Sequence, residues 1–319
     1  MAEVDAVKNE TENAPTPHPS SAHQRTLDEI ALHFNSVPVE GSKDKYEGGD
    51  KASSGQSFTS FYSSLLDAKR RQKNLQFLEV GVWYGKSLAM WSEYFEECVV
   101  HGIDINLGRF RKHRPDLEKA GAFSRNPVKV FELDTWSDDF LEFVKGSELP
   151  PVDVVLDDGN HNADSQFHLF RTLFPKMKPG GVYIVEDLEQ PGLVFSGSKF
   201  GPLIGAVGNP SYLGSGQMMR EKETALEELG RRHEVQREKL KKEVDRLTQL
   251  AFDSEKRERF QELLAEKRHQ LKEMPESVPP SEVTAVKKEF ESRLSFYKLA
   301  APLIESVEIR RMNLIFRLR

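Results

Sequence analysis

The sequence predicts an α/β chain built on a doubly wound, largely parallel sheet, and three observations predict it. Five strand-like runs alternate with helical stretches between residues 75 and 188, the pattern of successive βαβ units. Two of those runs, 152–156 and 182–185, are near-continuously apolar, as strands covered on both faces are. Acidic residues recur where the runs end, at Asp104, Asp134, Asp157-Asp158 and Glu186-Asp187. In parallel strands those ends share one edge of the sheet.

The chain has 319 residues, enough for one large domain or two modest ones. It is 38% hydrophobic and 30% charged, so part of it is expected to carry little core. A net charge of −6 gives no electrostatic reason to expect nucleic acid or an anionic membrane as a partner. No apolar run approaches ~18 residues, which argues against a membrane-spanning helix. Residues 1–21 lack a basic start and an apolar core and hold Glu3, Asp5, Glu10 and Glu12, unlike a signal or transit peptide. The expected location is cytoplasmic. A single cysteine, Cys98, excludes an intramolecular disulfide and a cysteine-built zinc site.

Residues 1–25, rich in Glu, Asn, Thr, Ser and Pro, are expected to be a disordered tail. A helical lead-in follows over 26–73. Leu27, Ile30, Ala31 and Phe34 have helical spacing, as do Phe58, Phe61, Tyr62, Leu65 and Leu66, with a Gly/Lys/Asp/Ser-rich loop over 41–56 between the two sets. The core is expected over 74–190. Its strands are placed at 75–82, 99–105, 128–134, 152–158 and 181–188, with helices at 87–95, 137–146 and 164–177. Gly180-Gly181 after Lys178-Pro179 reads as a turn that feeds the fifth strand. Trp91 and Phe170 are assigned to the core, and His101, His113 and His168 to structural roles.

Residues 191–295 are expected to be a loop and a charged helical insert. Over 217–274 there are 15 Lys/Arg and 14 Asp/Glu, so the charges read as a salt-bridged solvated face. Leu226, Leu229, Leu240, Val244, Leu247 and Leu250 form one seam, interrupted by His233 and Gln236. Phe260, Leu263, Leu264, Leu271 and Met274 form a second after a break near Asp253. This predicts a helical hairpin or short coiled coil on the surface, which would cover the active site or pair subunits. A further helix is expected around Val283, Val286, Phe290 and Leu294. Residues 296–319 are expected to supply terminal strands that complete the sheet.

In such a sheet ligands bind outside the carboxyl ends of the strands, where strand order reverses. The first strand leads into Glu79-Val-Gly81-Val-Trp-Tyr84-Gly85-Lys-Ser. Gly81 allows a sharp turn with close backbone approach, and Gly85 lets the next helix pack against the strand. The middle glycine of a dinucleotide fingerprint is replaced by Trp83, which would obstruct a pyrophosphate. Asp104, about 20 residues on, is placed to accept ribose hydroxyls. Glu79 before the turn suits a ligand with a cationic end, and Asp134 ends the third strand on the same edge. Taken singly, a glycine turn or a capping aspartate is ordinary. The ordered set describes S-adenosylmethionine better than NAD.

If the fourth and fifth strands are parallel, Asp158, Glu186 and Asp187 converge at the mouth of that cleft. Clustered carboxylates raise one another's pKa unless a cation neutralises them, and an oxygen donor set without cysteine suits Mg²⁺, Ca²⁺ or Mn²⁺. His161, across a glycine turn from Asp158, is the candidate general base. The plainer alternative is that Asp157-Asp158-Gly159 and Glu186-Asp187 only begin loops.

LEVGVWYGKSLAMW, VHGIDI, VLDDGNH with Gln166 and Phe170, and LFPKMKPGGVYIVEDL together resemble the metal-dependent S-adenosylmethionine O-methyltransferases of macrolide sugars and their rhamnosyl O-methyltransferase and cephalosporin-hydroxylase-like relatives. Lys43-Asp-Lys45 and Phe58-Thr-Ser-Phe-Tyr62 are similar to that family's lead-in helix. The resemblance implies a class I methyltransferase, Rossmann-like fold and a small-molecule hydroxyl acceptor. It implies Asp158, Glu186 and Asp187 as Mg²⁺ ligands and His161 as base. Glu79, Gly81, Tyr84, Gly85, Asp104, Asp134 and Asp157 are the cofactor-binding set. The chain departs from the family at Ser165, where a second histidine is common, and after Leu188, where acceptor contacts are normally made. A hydroxylase-like enzyme and a non-catalytic interaction protein with a coiled-coil arm are the competing readings.

Overall fold

The structure is a computed structural model, and it describes residues 24–41, 49–188, 199–214, 216–253, 257–310 and 312–319. The expected disordered tail, residues 43–45 and the first part of the 191–216 loop lie outside those residues, the tail all but its last two positions. The chain divides into two compact units.

The first unit takes in the chain up to Lys73, Tyr84–Cys98 and Arg109–Pro127. Its first helix, α1 (Leu27–Asn35), starts at a capping box in which the Glu29 N–H donates to Thr26 Oγ1 and the Thr26 N–H to Glu29 Oε2. The four apolar positions expected to share a face are all buried. So are Phe58, Phe61, Tyr62, Leu65 and Leu66 of α2 (Phe58–Leu66). In α3 (Lys86–Tyr94), Trp91 is fully buried against Tyr62, Tyr94 and Phe95. Helix α4 (Gly108–Lys119) has no counterpart among the helices expected from the sequence. It is a basic segment with Pro115 in its interior, yet Phe110, His113 and Leu117 bury one stripe of it.

The second unit takes in Asn74–Trp83, Val99–Gly108 and Val128–Arg319. It holds a seven-stranded sheet of β1 (Leu75–Val80), β2 (Cys98–Asp104, whose first residue falls in the other unit), β3 (Val128–Glu132), β4 (Val152–Asp157), β5 (Met177–Val185), β6 (Ile304–Arg310) and β7 (Asn313–Leu318). The order is β3-β2-β1-β4-β5-β7-β6. β4 runs parallel to both β1 and β5, and β2 runs parallel to β3. β7 is antiparallel to β5 and to β6. This is the doubly wound fold expected, closed by the terminal hairpin. Strand order reverses between β1 and β4, and there Val80 stands opposite Asp157.

Two expectations for the connections are corrected. The fifth strand begins earlier than expected, at Met177, and Lys178 to Gly181 form an irregularity within it instead of a turn ahead of it: β4 pairs Val152 with Met177 and resumes at Val154 with Val182, and Gly180 has φ +69°. The 191–216 stretch is not loop throughout, since α7 (Gly201–Ala206) buries Leu203 and Ala206.

Helices α5 (Asp138–Lys145), α6 (Ala163–Leu173) and α10 (Pro280–Ala300) contribute to one apolar core with the sheet. Phe170 is at its centre, with ring contacts to Phe174, Tyr183, Phe200, Phe296 and Phe316. The expected boundary at 295/296 falls inside α10. The charged insert is helical as expected: α8 (Gly216–Asp253) and α9 (Arg257–Glu273) pack on each other through Leu247 and Leu264, with Val244 and Phe260 alongside, in a small cluster separate from the main core.

Candidate active site

The loop after β1 is shaped by two constraints that lie far away in sequence. Gly81 has φ +98°, and a Cβ there would sit 1.9 Å from the backbone oxygen of Asp158. Only glycine lets the loop cross the end of β4 so closely. Its N–H donates to Ile103 O, and the Asp158 N–H donates to Val80 O. Asp104, at the end of β2, then fixes the loop: its Oδ2 accepts the N–H groups of Val82 and Trp83 at 2.8 and 3.1 Å, and its Oδ1 accepts that of Asn106 at 2.9 Å. A carboxylate has about four acceptor positions, so Asp104 keeps capacity for a ligand hydroxyl. Glu79 is fully buried in β1 beside this loop.

The remaining expected cofactor residues divide into three. Asp134 is exposed beyond the end of β3, and its Oδ1 accepts the Trp136 N–H at 2.9 Å. Asp157 is 2% exposed. Burial pushes its carboxyl up to about 8, the neighbouring Asp158 adds to the rise, and the Gly159 N–H partly offsets it. Tyr84 and Gly85 belong to the first unit. There Gly85 precedes α3 with φ +81°, and a Cβ on it would meet the Phe110 ring at 2.3 Å. Gly85 therefore serves packing against α4, where its sequence position suggests packing of a helix on a strand. Tyr84 stands edge-on to His113.

The second cluster is built by the turns after β4 and β5. His161 and Asp187 both adopt left-handed backbone, with φ +58° and +51°. Such positions cost on the order of 1–3 kcal/mol each for a non-glycine residue and gather at functional sites. The turns bring His161 Nε2 to 3.9 Å from Asp158 Oδ1 and 4.0 Å from Asp187 Oδ2. These separations are too long for direct hydrogen bonds. One ligand atom from each of the three residues lies within 4.8 Å of the other two.

Glu186 is not in this group. It is 1% exposed, its N–H donates to Asp157 O, and its carbonyl accepts Gln166 Nε2 at 2.8 Å. Where the sequence suggests three converging carboxylates, the structure gathers two carboxylates and an imidazole. The two carboxylates offer oxygen donors that suit a divalent cation such as Mg²⁺ or Mn²⁺, the imidazole beside them suits a base, and the absence of thiolate argues against softer ions.

Three further residues lie around these turns, of which the sequence singles out only Ser165. Glu132, at the end of β3, accepts the Leu107 N–H at 3.0 Å. Trp136 is 55% exposed and stacks on His168 with ring centroids 4.0 Å apart. Ser165 Oγ lies 3.1 Å from Asn160 Nδ2 and 3.4 Å from Trp136 Nε1. Ser165, the departure from the family pattern, thus ties the His161 turn to the loop after β3.

Residues 78–188 match the model of a methyltransferase domain. Over 105 residues the chain is 34% identical to an 8-demethyl-8-alpha-L-rhamnosyl tetracenomycin-C 2'-O-methyltransferase of Streptomyces olivaceus, a match covering 33% of this chain and 24% of that protein. Over 138 residues it is 30% identical to a mycinamicin VI 2''-O-methyltransferase of Micromonospora griseorubida, covering 41% and 31%. The matched segments span about a quarter to a third of the length of these relatives. Among solved structures, a MycE methyltransferase of the mycinamycin biosynthetic pathway in complex with Mg and SAH aligns with 93% of this chain and 55% of its own, at 16% identity and a TM-score of 0.43. Over the matched segments the chain is similar to sugar O-methyltransferases.

Proposed function

We propose that this chain is an S-adenosylmethionine-dependent O-methyltransferase that uses a divalent cation, Mg²⁺ in our reading, and methylates a hydroxyl of a small molecule, with a sugar of a glycosylated natural product as the acceptor class. The observation that carries the proposal is the meeting of Asp158, His161 and Asp187 at the ends of β4 and β5, where strand order has just reversed beside the Gly81 turn. The matched methyltransferase domain and the rhamnosyl and mycinamicin relatives support it.

When bound, S-adenosylmethionine supplies an electrophilic methyl group and the cation supplies positive charge beside the acceptor hydroxyl. The protein's own groups do the rest. Asp158 and Asp187 would hold the cation, whose charge would offset the repulsion between them. His161 presents Nε2 to the hydroxyl and takes its proton, a contribution of roughly 10²–10⁴-fold for a positioned base. Asp104 keeps the Gly81–Trp83 loop in shape and offers its remaining acceptor capacity to the ribose. Glu79 faces the cationic end of the cofactor. Cytoplasmic location and pairing between subunits through α8 and α9 belong to the same reading. Among the described residues no helix is long and apolar enough to cross a membrane.

The test is a titration followed by an acceptor screen. The protein should bind S-adenosylhomocysteine and not NAD, and a panel of rhamnosylated and other glycosylated acceptors should include one that gains a methyl group in the presence of Mg²⁺. Tight NAD binding without S-adenosylhomocysteine binding would overturn the cofactor assignment. Binding of neither ligand would favour the non-catalytic interaction protein.

A further inference from the structure

We infer that Gln166 is a positioning residue of the cation site: its buried amide ties the turn that carries Asp187 to the helix that follows His161. The inference rests on the cation-site reading above and goes beyond it, to what sets the distance between the two halves of the site.

Asp158 and His161 lie on the turn after β4, whereas Asp187 lies after β5. Nothing in strand pairing alone fixes the last two, because β4 and β5 end their register at Asp157 and Val185. The chain then leaves the ladder, and at Asp187 it takes a left-handed conformation. A strained residue keeps such a conformation only where its surroundings over-determine it. The peptide groups around Asp187 show how. The Glu186 N–H donates to Asp157 O, the Leu188 N–H donates to Met312 O, and the Glu186 carbonyl accepts Gln166 Nε2 at 2.8 Å. Of these three ties, only the last is made by a side chain.

Gln166 is placed for this by its own helix. Asn162, the residue after His161, caps α6 by accepting the N–H groups of Asp164 and Ser165, and the Gln166 N–H donates to Asn162 O. Gln166 is thus one turn into the helix that the His161 turn starts. It is 2% exposed and shares that helix with buried Phe167, Leu169, Phe170 and Leu173. An amide in such surroundings is costly unless it is hydrogen-bonded, and an apolar side chain would fill the place at less cost if packing were all that mattered. The bond to Glu186 O makes one rigid piece of the turn before Asp187 and the turn before α6. Supporting residues of this kind typically change metal affinity by roughly 10–100-fold when replaced.

The experiment measures Mn²⁺ binding by electron paramagnetic resonance for the full chain, with thermal unfolding in the absence of cation as the control for folding. Gln166→Met keeps the volume and removes the donor. Gln166→Glu keeps the shape, offers a carboxylate that cannot donate, and serves if the methionine variant does not fold. Both variants should bind Mn²⁺ roughly 10–100-fold more weakly than the unaltered protein, with an altered spectrum for the ion that remains bound. A folded variant that holds Mn²⁺ with unchanged affinity and spectrum overturns the inference. Asp187→Asn separates the two claims. If it loses Mn²⁺ while the Gln166 variants do not, the site stands and the positioning role falls. If the unaltered protein binds no Mn²⁺, the site and the positioning role fall together.

Discussion

His101 shows what burial does to a single side chain in this fold. It lies in β2, fully buried, with Nε2 on Gln76 Oε1 at 2.9 Å and its ring stacked over Phe131. Burial, with the Lys129 charge adding to it, pulls its pKa down to about 4. Above pH 6.5 the ring is neutral in both folded and unfolded chains and adds no pH dependence. Below that the unfolded chain takes up the proton and the folded one does not, so stability falls as pH drops from 6.5 towards 4. His101→Gln should flatten this part of the profile, measured by denaturant unfolding of the cation-free protein at pH 7, 5.5 and 4.5. An unchanged loss below pH 6.5 would assign it to other groups. His101 was legible in the sequence as structural, and Gly81, Asp104, Asp158 and His161 stand out there as candidate site residues. What was not legible was why each is needed. The glycine at 81 answers to a backbone oxygen at Asp158, and the group that gathers beyond the strand ends is Asp158, His161 and Asp187 rather than the buried Glu186. Both depend on register and backbone angle between distant segments, which residue spacing does not encode.

At the scale of elements, legibility followed the strength of the apolar pattern. The four-residue stripe of α1 is a local signal, and that helix lies where its spacing places it. Helix α4 was missed because its buried stripe is three residues in a basic, proline-containing segment, so tertiary packing overrides weak propensity there. The α8–α9 pair is the opposite case, long and strongly patterned but with a very small shared core. Segments with few buried apolar contacts open at lower free energy than the body of a domain. Hydrogen exchange should therefore be faster across α8 and α9 than across β1, β4 and β5. Leu264→Ala should remove roughly 2–5 kcal/mol from the opening energy of that pair, the usual range for a buried leucine, and leave the strands as protected as before. Equal loss of protection in the strands would mean that the insert and the sheet unfold as one.

On the scale of the whole chain, topology decides which of the strand-end acids read in the sequence come together. The reversal of strand order between β1 and β4 sets the Gly81 turn and Asp104 on one side and Asp158, His161 and Asp187 on the other. One side suits a nucleoside-bearing cofactor, and the other a cation and a base. The acceptor is the part least written in the sequence, since the region after Leu188 departs from the family and the 189–198 segment lies outside the described residues. The most direct measurement is methyl transfer from labelled S-adenosylmethionine to a glycosylated acceptor, run with Mg²⁺, in excess EDTA, and after Mg²⁺ is restored. The unaltered protein should transfer label with Mg²⁺, stop in EDTA and recover when the cation returns. Asp187→Asn should be inactive throughout, and His161→Ala should be slower by roughly 10²–10⁴-fold with Mg²⁺ present. Full turnover in excess EDTA would contradict the account, because Asp158 and Asp187 would then be holding the fold together rather than holding a cation for the reaction.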